Sequence, residues 1–113
     1  MSGALPPLGS LTDRVQLQRR EMTREDEGGH ATLHVPVATL WARVRSLAAR
    51  SAISADARAS AISHVVVIRF RTDVKPGDRF GYRGRHLVVV SAEDLNGRRA
   101  YLSCQCSETG VSG

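Results

Sequence analysis

Several things are scarce in this 113-residue sequence, and each shortage removes a class of function. Lysine occurs once, as Lys75, among 16 basic residues. Aromatic side chains make up 4% of the chain, which leaves a core to Val, Leu, Ile and Ala. It also removes the rows of exposed rings on which single-stranded nucleic acid stacks. The two cysteines, Cys104 and Cys106, are too few for a disulfide framework. Their i, i+2 spacing in an extended segment puts both on one face, where a mutual disulfide has poor geometry. His30, His34, His64 and His86 are dispersed without ligand spacing, so neither a metal nor any other cofactor is expected. No apolar run approaches the ~20 residues of a membrane helix, and residues 1–11 lack the basic and apolar regions of a targeting signal. The expectation is a soluble protein, made inside the cell, with no membrane contact.

What is present suits one small domain. A chain of this length buries roughly two thirds of its unfolded surface. The formal net charge is +5 and the pI about 10.2, almost entirely from arginine. Guanidinium groups suit pairing with carboxylates or phosphates across an interface, and an arginine-rich composition is equally what a GC-rich genome produces.

The periodicity is that of strands. Asp13-Arg14-Val15-Gln16-Leu17-Gln18-Arg19 alternates with Val15 and Leu17 on one face. Residues 21–29, with four acids and a closing Gly28-Gly29, read as a polar loop. A short strand is expected over 31–34, a break or sheet edge at Pro36, and a longer strand over 37–46. In that longer strand Leu40, Ala42 and Val44 share one face, and Trp41, Arg43 and Arg45 the other. Two readings of the second face stay open. In one, Trp41 shields a barrel end with Arg43 stacked on it; in the other, both lie in a subunit interface. Residues 47–61 are alanine-rich, with Ser51 or Ser54 as N-cap, and predict a short helical insertion.

Residues 63–71 form the clearest strand, with His64, Val66, Ile68 and Phe70 on one face. Pro76-Gly77 marks a turn, Arg83-Gly84-Arg85 a hairpin reversal, and Asn96-Gly97 a type I′ turn between strands at 86–92 and 99–106. The pattern predicts a mainly β fold, a small antiparallel β-barrel or sandwich of six or seven strands with one short helical insertion. Residues 1–11 would be a flexible arm, 12–106 the single barrel domain with its insertion at 47–61, and 107–113 a polar tail.

No catalytic constellation is visible, and the chain reads as no enzyme. Ser63-His64 is adjacent in a strand, which is expected to send the two side chains to opposite faces. A small basic β-barrel that binds nucleic acid is the alternative, suggested by Arg69, Arg71, Arg79, Arg83 and Arg85 near one hairpin.

The order of features resembles the phage head–tail joining, or head completion, family. The resemblance runs from about Leu11 to Cys106. It rests on Leu11-Thr12-Asp13-Arg14-Val15-Gln16-Leu17-Gln18-Arg19, the acidic loop ending at Gly28-Gly29, and Ala38-Thr39-Leu40-Trp41-Ala42-Arg43-Val44. It resumes at Ser63-His64-Val65-Val66-Val67-Ile68-Arg69-Phe70-Arg71, Val74-Lys75-Pro76-Gly77-Asp78-Arg79-Phe80, Tyr82-Arg83-Gly84-Arg85-His86-Leu87 and Asn96-Gly97-Arg98-Arg99. The insertion here is richer in alanine than the family's.

The resemblance implies a structural stopper, or the adjoining adaptor, in the neck of a phage, prophage or gene transfer agent particle assembled in the bacterial cytoplasm. Its partners would be identical copies in a homo-oligomeric ring, the portal or head–tail adaptor above, the tail terminator or tail tube below, and packaged double-stranded DNA in the channel. The expected interface or channel residues are Glu25, Asp26 and Glu27 of the acidic loop, Trp41 and Arg43, and Arg50 and Arg58 of the insertion.

Overall fold

Alternating and β-branched segments give six strands, which the computed structural model describes over residues 11–24, 28–47 and 62–109. They are β1 (Asp13–Arg24), β2 (His30–Ser46), β3 (His64–Arg69), β4 (Arg79–Tyr82), β5 (Arg85–Asp94) and β6 (Tyr101–Glu108). All pairings are antiparallel. The sheet closes into a barrel in the order β1-β2-β3-β6-β5-β4.

The period of two decides what fills the interior. Val15 and Leu17 enter from β1, Ala42 from β2, Val66 and Ile68 from β3, and Phe80 from β4. Leu87 and Val89 of β5 and Leu102, Cys104 and Cys106 of β6 complete the wall. Phe80, fully buried, is the largest of these, as the shortage of aromatics requires. The helix expected at 47–61 falls outside the described residues except for Leu47. The Leu47 N–H donates to the Ser63 carbonyl at 2.9 Å, so that segment leaves and re-enters the barrel at neighbouring points.

Several boundaries differ from the sequence reading. The polar segment after Arg19 is still strand. β1 continues to Arg24, opposite His30, because a ribbon solvated on both faces needs no apolar alternation. Pro36 does not split β2, which runs unbroken for 17 residues. The register shifts where Leu17 faces Ala38 and Gln18 faces Pro36, leaving Val37 as the extra residue of a bulge. β2 meets β3 only from Ala42 onward, so among the described residues its outer edge at Pro36 is open, a site where proline is tolerated.

At the other end of the chain, β6 starts and stops two residues later than expected. Arg99 sits at φ 56°, outside strand geometry, and Ser107 and Glu108 pair with Val88 and Leu87. Asn96 and Gly97 do carry positive φ, 62° and 68°, but in a longer loop with a 3-10 turn at Leu95–Gly97. There the Asp94 carboxylate accepts the Arg99 N–H at 2.9 Å. The two-residue I′-like reversal is Arg83-Gly84, at φ 54° and 80°, between the paired Tyr82 and Arg85.

The connection from β3 to β4 ends in a turn that ties three elements together. The Asp78 N–H donates to the Lys75 carbonyl at 3.0 Å across Pro76 and Gly77, the latter at φ 99°, as a type II turn requires. The Asp78 side chain is buried and accepts the N–H groups of Lys75 and of Arg20 in β1, each at 3.0 Å. Its backbone carbonyl accepts the Val89 N–H of β5 at 2.8 Å. Asp78→Ala would leave two backbone donors unpaired and is expected to cost about 2–4 kcal/mol. Urea unfolding would read this as a lower midpoint at unchanged slope, with Asp78→Asn, which keeps one acceptor, falling between.

Candidate functional site

Two surface features follow from how little of β1 and β2 the barrel uses. β1 pairs with β4 only over Gln16, Leu17 and Gln18, and β2 pairs with β3 only over Ala42 to Ser46. The pairs from Arg19↔Val35 to Arg24↔His30 therefore form a two-stranded arm beyond the barrel, with both outer edges open among the described residues. Such a ribbon has little stability alone. Its root is fastened by the Asp78 bond to Arg20 and by His34 Nε2, 3.0 Å from the Gly77 carbonyl oxygen. Past the root, Met22 is 61% and Leu33 50% exposed. The arm leads to Glu25, Asp26 and Glu27, which lie outside the described residues.

The second feature is the outer wall of β2. Leu40, Ala42 and Val44 face inward and Trp41, Arg43 and Arg45 outward, as the alternation predicts. Trp41 is 54% exposed. The cation on its ring is not Arg43 but Arg14, whose guanidinium carbon stands 4.6 Å from the ring centroid. Arg14 is Trp41's register partner across the β1–β2 ladder, and directly opposite residues stand closer than residues i and i+2 along one strand. Asp13, the nearest acid in the chain, spends its carboxylate on the Val44 N–H at 2.9 Å. Among the described residues Arg14, Arg43, Arg45 and Arg69 have no carboxylate partner. Among the described residues the wall is therefore an uncompensated positive surface around one tryptophan. Arg50 and Arg58 lie outside the described residues.

The five arginines that suggested a nucleic-acid barrel are not a free patch. Arg71 donates through Nε and Nη2 to both Asp73 oxygens, at 2.8 and 2.9 Å. These bonds hold the Asp73 carboxyl below its ordinary value and raise the Arg71 guanidinium. Arg79 donates to the Gln18 side chain, Arg83 lies over the Tyr82 ring, and Arg85 is 3.7 Å from Glu108. Arg69 alone of the five has no such partner among the described residues.

Ser63 and His64 depart from the expected geometry. Ser63 precedes β3, so strand alternation does not govern it, and its Oγ lies 2.8 Å from His64 Nδ1. The same Oγ accepts the Glu108 N–H at 2.9 Å, and the Ser63 N–H donates to the Cys106 carbonyl at 2.8 Å. With His64 buried, the pair clamps the start of β3 to the end of β6. Among the described residues no three His, Cys, Asp or Glu side chains gather as a metal site, and no helix is long and apolar enough to cross a membrane.

Cys104 and Cys106 are free thiols, both buried in the core. Burial, with Cys106 alongside, drives the Cys104 thiol far above its ordinary value, and burial pushes Cys106 up to about 12. The Cys106 S–H points to the Cys104 carbonyl at 3.6 Å.

The model of the family described as phage head completion protein matches residues 6–109. Among solved structures, a Shigella flexneri 2a protein known in solution superimposes with a TM-score of 0.71 at 27% identity, over 96% of this chain and 100% of that one. A chain from the virion of a native gene transfer agent particle shares the fold, with a TM-score of 0.63 at 17% identity, over 85% of this chain and 93% of that one. A search of curated proteins finds no match.

The thiols allow a direct check of the core. With folded-state values so high, the thiolate fraction near pH 8 is negligible. Neither cysteine is expected to take up iodoacetamide at that pH in the folded chain, and both are expected to react in urea, with mass spectrometry counting the adducts.

Proposed function

The chain belongs to the phage head completion protein family, and from that premise we propose that it forms a homo-oligomeric ring in the neck of a tailed-phage-like particle. Structural head completion is the family's role. The finer reading is a stopper that closes the DNA channel after packaging and docks the tail, with the portal or adaptor above it and the tail terminator or tube below. The particle would be assembled in the bacterial cytoplasm.

The observation that carries the ring is the pairing of a closed barrel with two surfaces the barrel leaves unused, the projecting arm and the arginine wall. Identical subunits in a ring meet head to tail, so each must present two different and complementary patches. The wall with Trp41 and Arg43 is one. The acids Glu25, Asp26 and Glu27, carried at the end of the arm, supply charge of the other sign from the neighbouring copy. Arg50 and Arg58 of the insertion would face the lumen and meet DNA phosphates without reading sequence, since a plug must hold DNA reversibly. The nucleic-acid-binding alternative loses its main support, because most of its arginines are engaged within the chain.

Particle assembly tests this. Heads made without the chain are expected to package DNA, lose it and lack tails. Arg43→Glu with Arg45→Glu is expected to reproduce that defect without shifting thermal unfolding, since both side chains are exposed. Adding Glu25→Arg, Asp26→Arg and Glu27→Arg is expected to restore tailed particles. Normal tailed particles from the double arginine variant would overturn the proposed contact, and normal particles without the chain would overturn the role.

A further inference from the structure

A groove of about 930 Å³ opens beside Trp41. Its apolar lining is Leu11, Leu40, Trp41 and Phe70, and Arg69 and Arg71 line it as well. Leu11 is the first described residue and is itself buried, so the N-terminal segment leaves the barrel from the groove's own wall. We propose that this groove is the seat of the chain's own residues Leu5-Pro6-Pro7-Leu8, which lie outside the described residues and strap back over Trp41.

Sequence and geometry agree on the occupant. Residues 5–8 carry no charge and are wholly apolar. Pro6-Pro7 favours the polyproline II helix, whose three-residue turn puts Leu5 and Leu8 on the same edge, ~9 Å apart. A segment stiffened in this way loses little entropy on docking, and aromatic-lined grooves are its usual receptors. Gly9 and Ser10 supply a bend between Leu8 and the anchored Leu11, and that link spans up to ~10 Å, enough to bring Leu8 over the Trp41 ring wall.

The lining favours an uncharged apolar segment over an acidic peptide, because four of its eight residues are Leu11, Leu40, Trp41 and Phe70. Of the two lining cations, the Arg71 guanidinium is engaged by Asp73, and Arg69 alone has no carboxylate among the described residues. The tether argues against a second copy, because a short link holds the segment at an effective concentration in the millimolar range. The inference goes beyond the ring and concerns a single chain: with the strap seated over Trp41, the wall meets a neighbouring copy through the strap's outer side and through Arg43 and Arg45, which do not line the groove.

Trp41 is the only tryptophan, so its fluorescence reads the groove directly. In the purified full chain its emission is expected to be blue-shifted, and its quenching by acrylamide several-fold slower, compared with a chain lacking residues 1–8. Leu5→Ser with Leu8→Ser, at full length, is expected to match the truncation, with far-UV circular dichroism unchanged in both. The shielding is expected to persist on dilution to concentrations where only monomer remains. Equal quenching in all three chains would overturn the strap, and shielding that disappears on dilution would assign the groove to the arm of a second copy instead.

Discussion

Three residue pairs close the barrel: Gln16↔Gly81, Leu17↔Phe80 and Gln18↔Arg79, between β1 and the four-residue β4. Without them β1 and β4 would be the two open edges of a sheet, exposed to pairing with other chains. Leu17 and Phe80 face each other at the seam and are both essentially inaccessible to solvent. Gln18 donates to the Gln16 side chain at 2.8 Å and accepts from Arg79, so the polar side of the seam is satisfied as well. The approach is close enough that a Cβ at Gly81 would stand 3.1 Å from the Gln18 amide nitrogen. The Asp78 turn continues the seam by one further attachment, to Arg20.

The brevity of that seam leaves part of the candidate surface outside the barrel. Because β4 gives β1 only three pairs and β3 meets β2 only from Ala42 onward, residues 19–24 and 30–35 pair only with each other among the described residues and project as the arm. The arm's direction is set at its root, where the turn at Gly77 and Asp78 holds His34 and Arg20. Among the described residues, open strand edges remain on the arm and along β2 before Ala42, so the proposed assembly rests on the arm and on the outer wall beside it. The arginines of that wall lack carboxylate partners among the described residues, which is the electrostatic condition of a surface that meets a carboxylate or phosphate supplied from outside.

Much of this was legible because alternation is a direct record of which side chains enter a barrel. The inward sets of β1, β2 and β3 and the turns at Gly77 and Gly84 follow from period and from positive φ. Only one side of the arm was legible: residues 31–34 read as strand, whereas the stretch after Arg19, solvated on both faces, has no hydrophobic period and its charges read as loop. Pro36 misled for a related reason, since the bulge and open edge that accommodate it exist only once the partners of β2 are known. Arg14 was missed as the cation over Trp41 because cross-strand neighbours depend on register, which the sequence of one strand does not contain. The Ser63 and His64 contact depends on where β3 begins, the least determined feature of any strand. Membership of the head completion family was readable from the order of segments, since no single segment is distinctive.

The ring in the neck is tested most directly by a cryo-electron microscopy map of the particle that carries this chain. The expected result is a closed ring of six-stranded barrels between head and tail, each arm lying against the Trp41 and Arg43 wall of the next copy. A well-ordered neck in which no density fits the barrel would contradict the assignment.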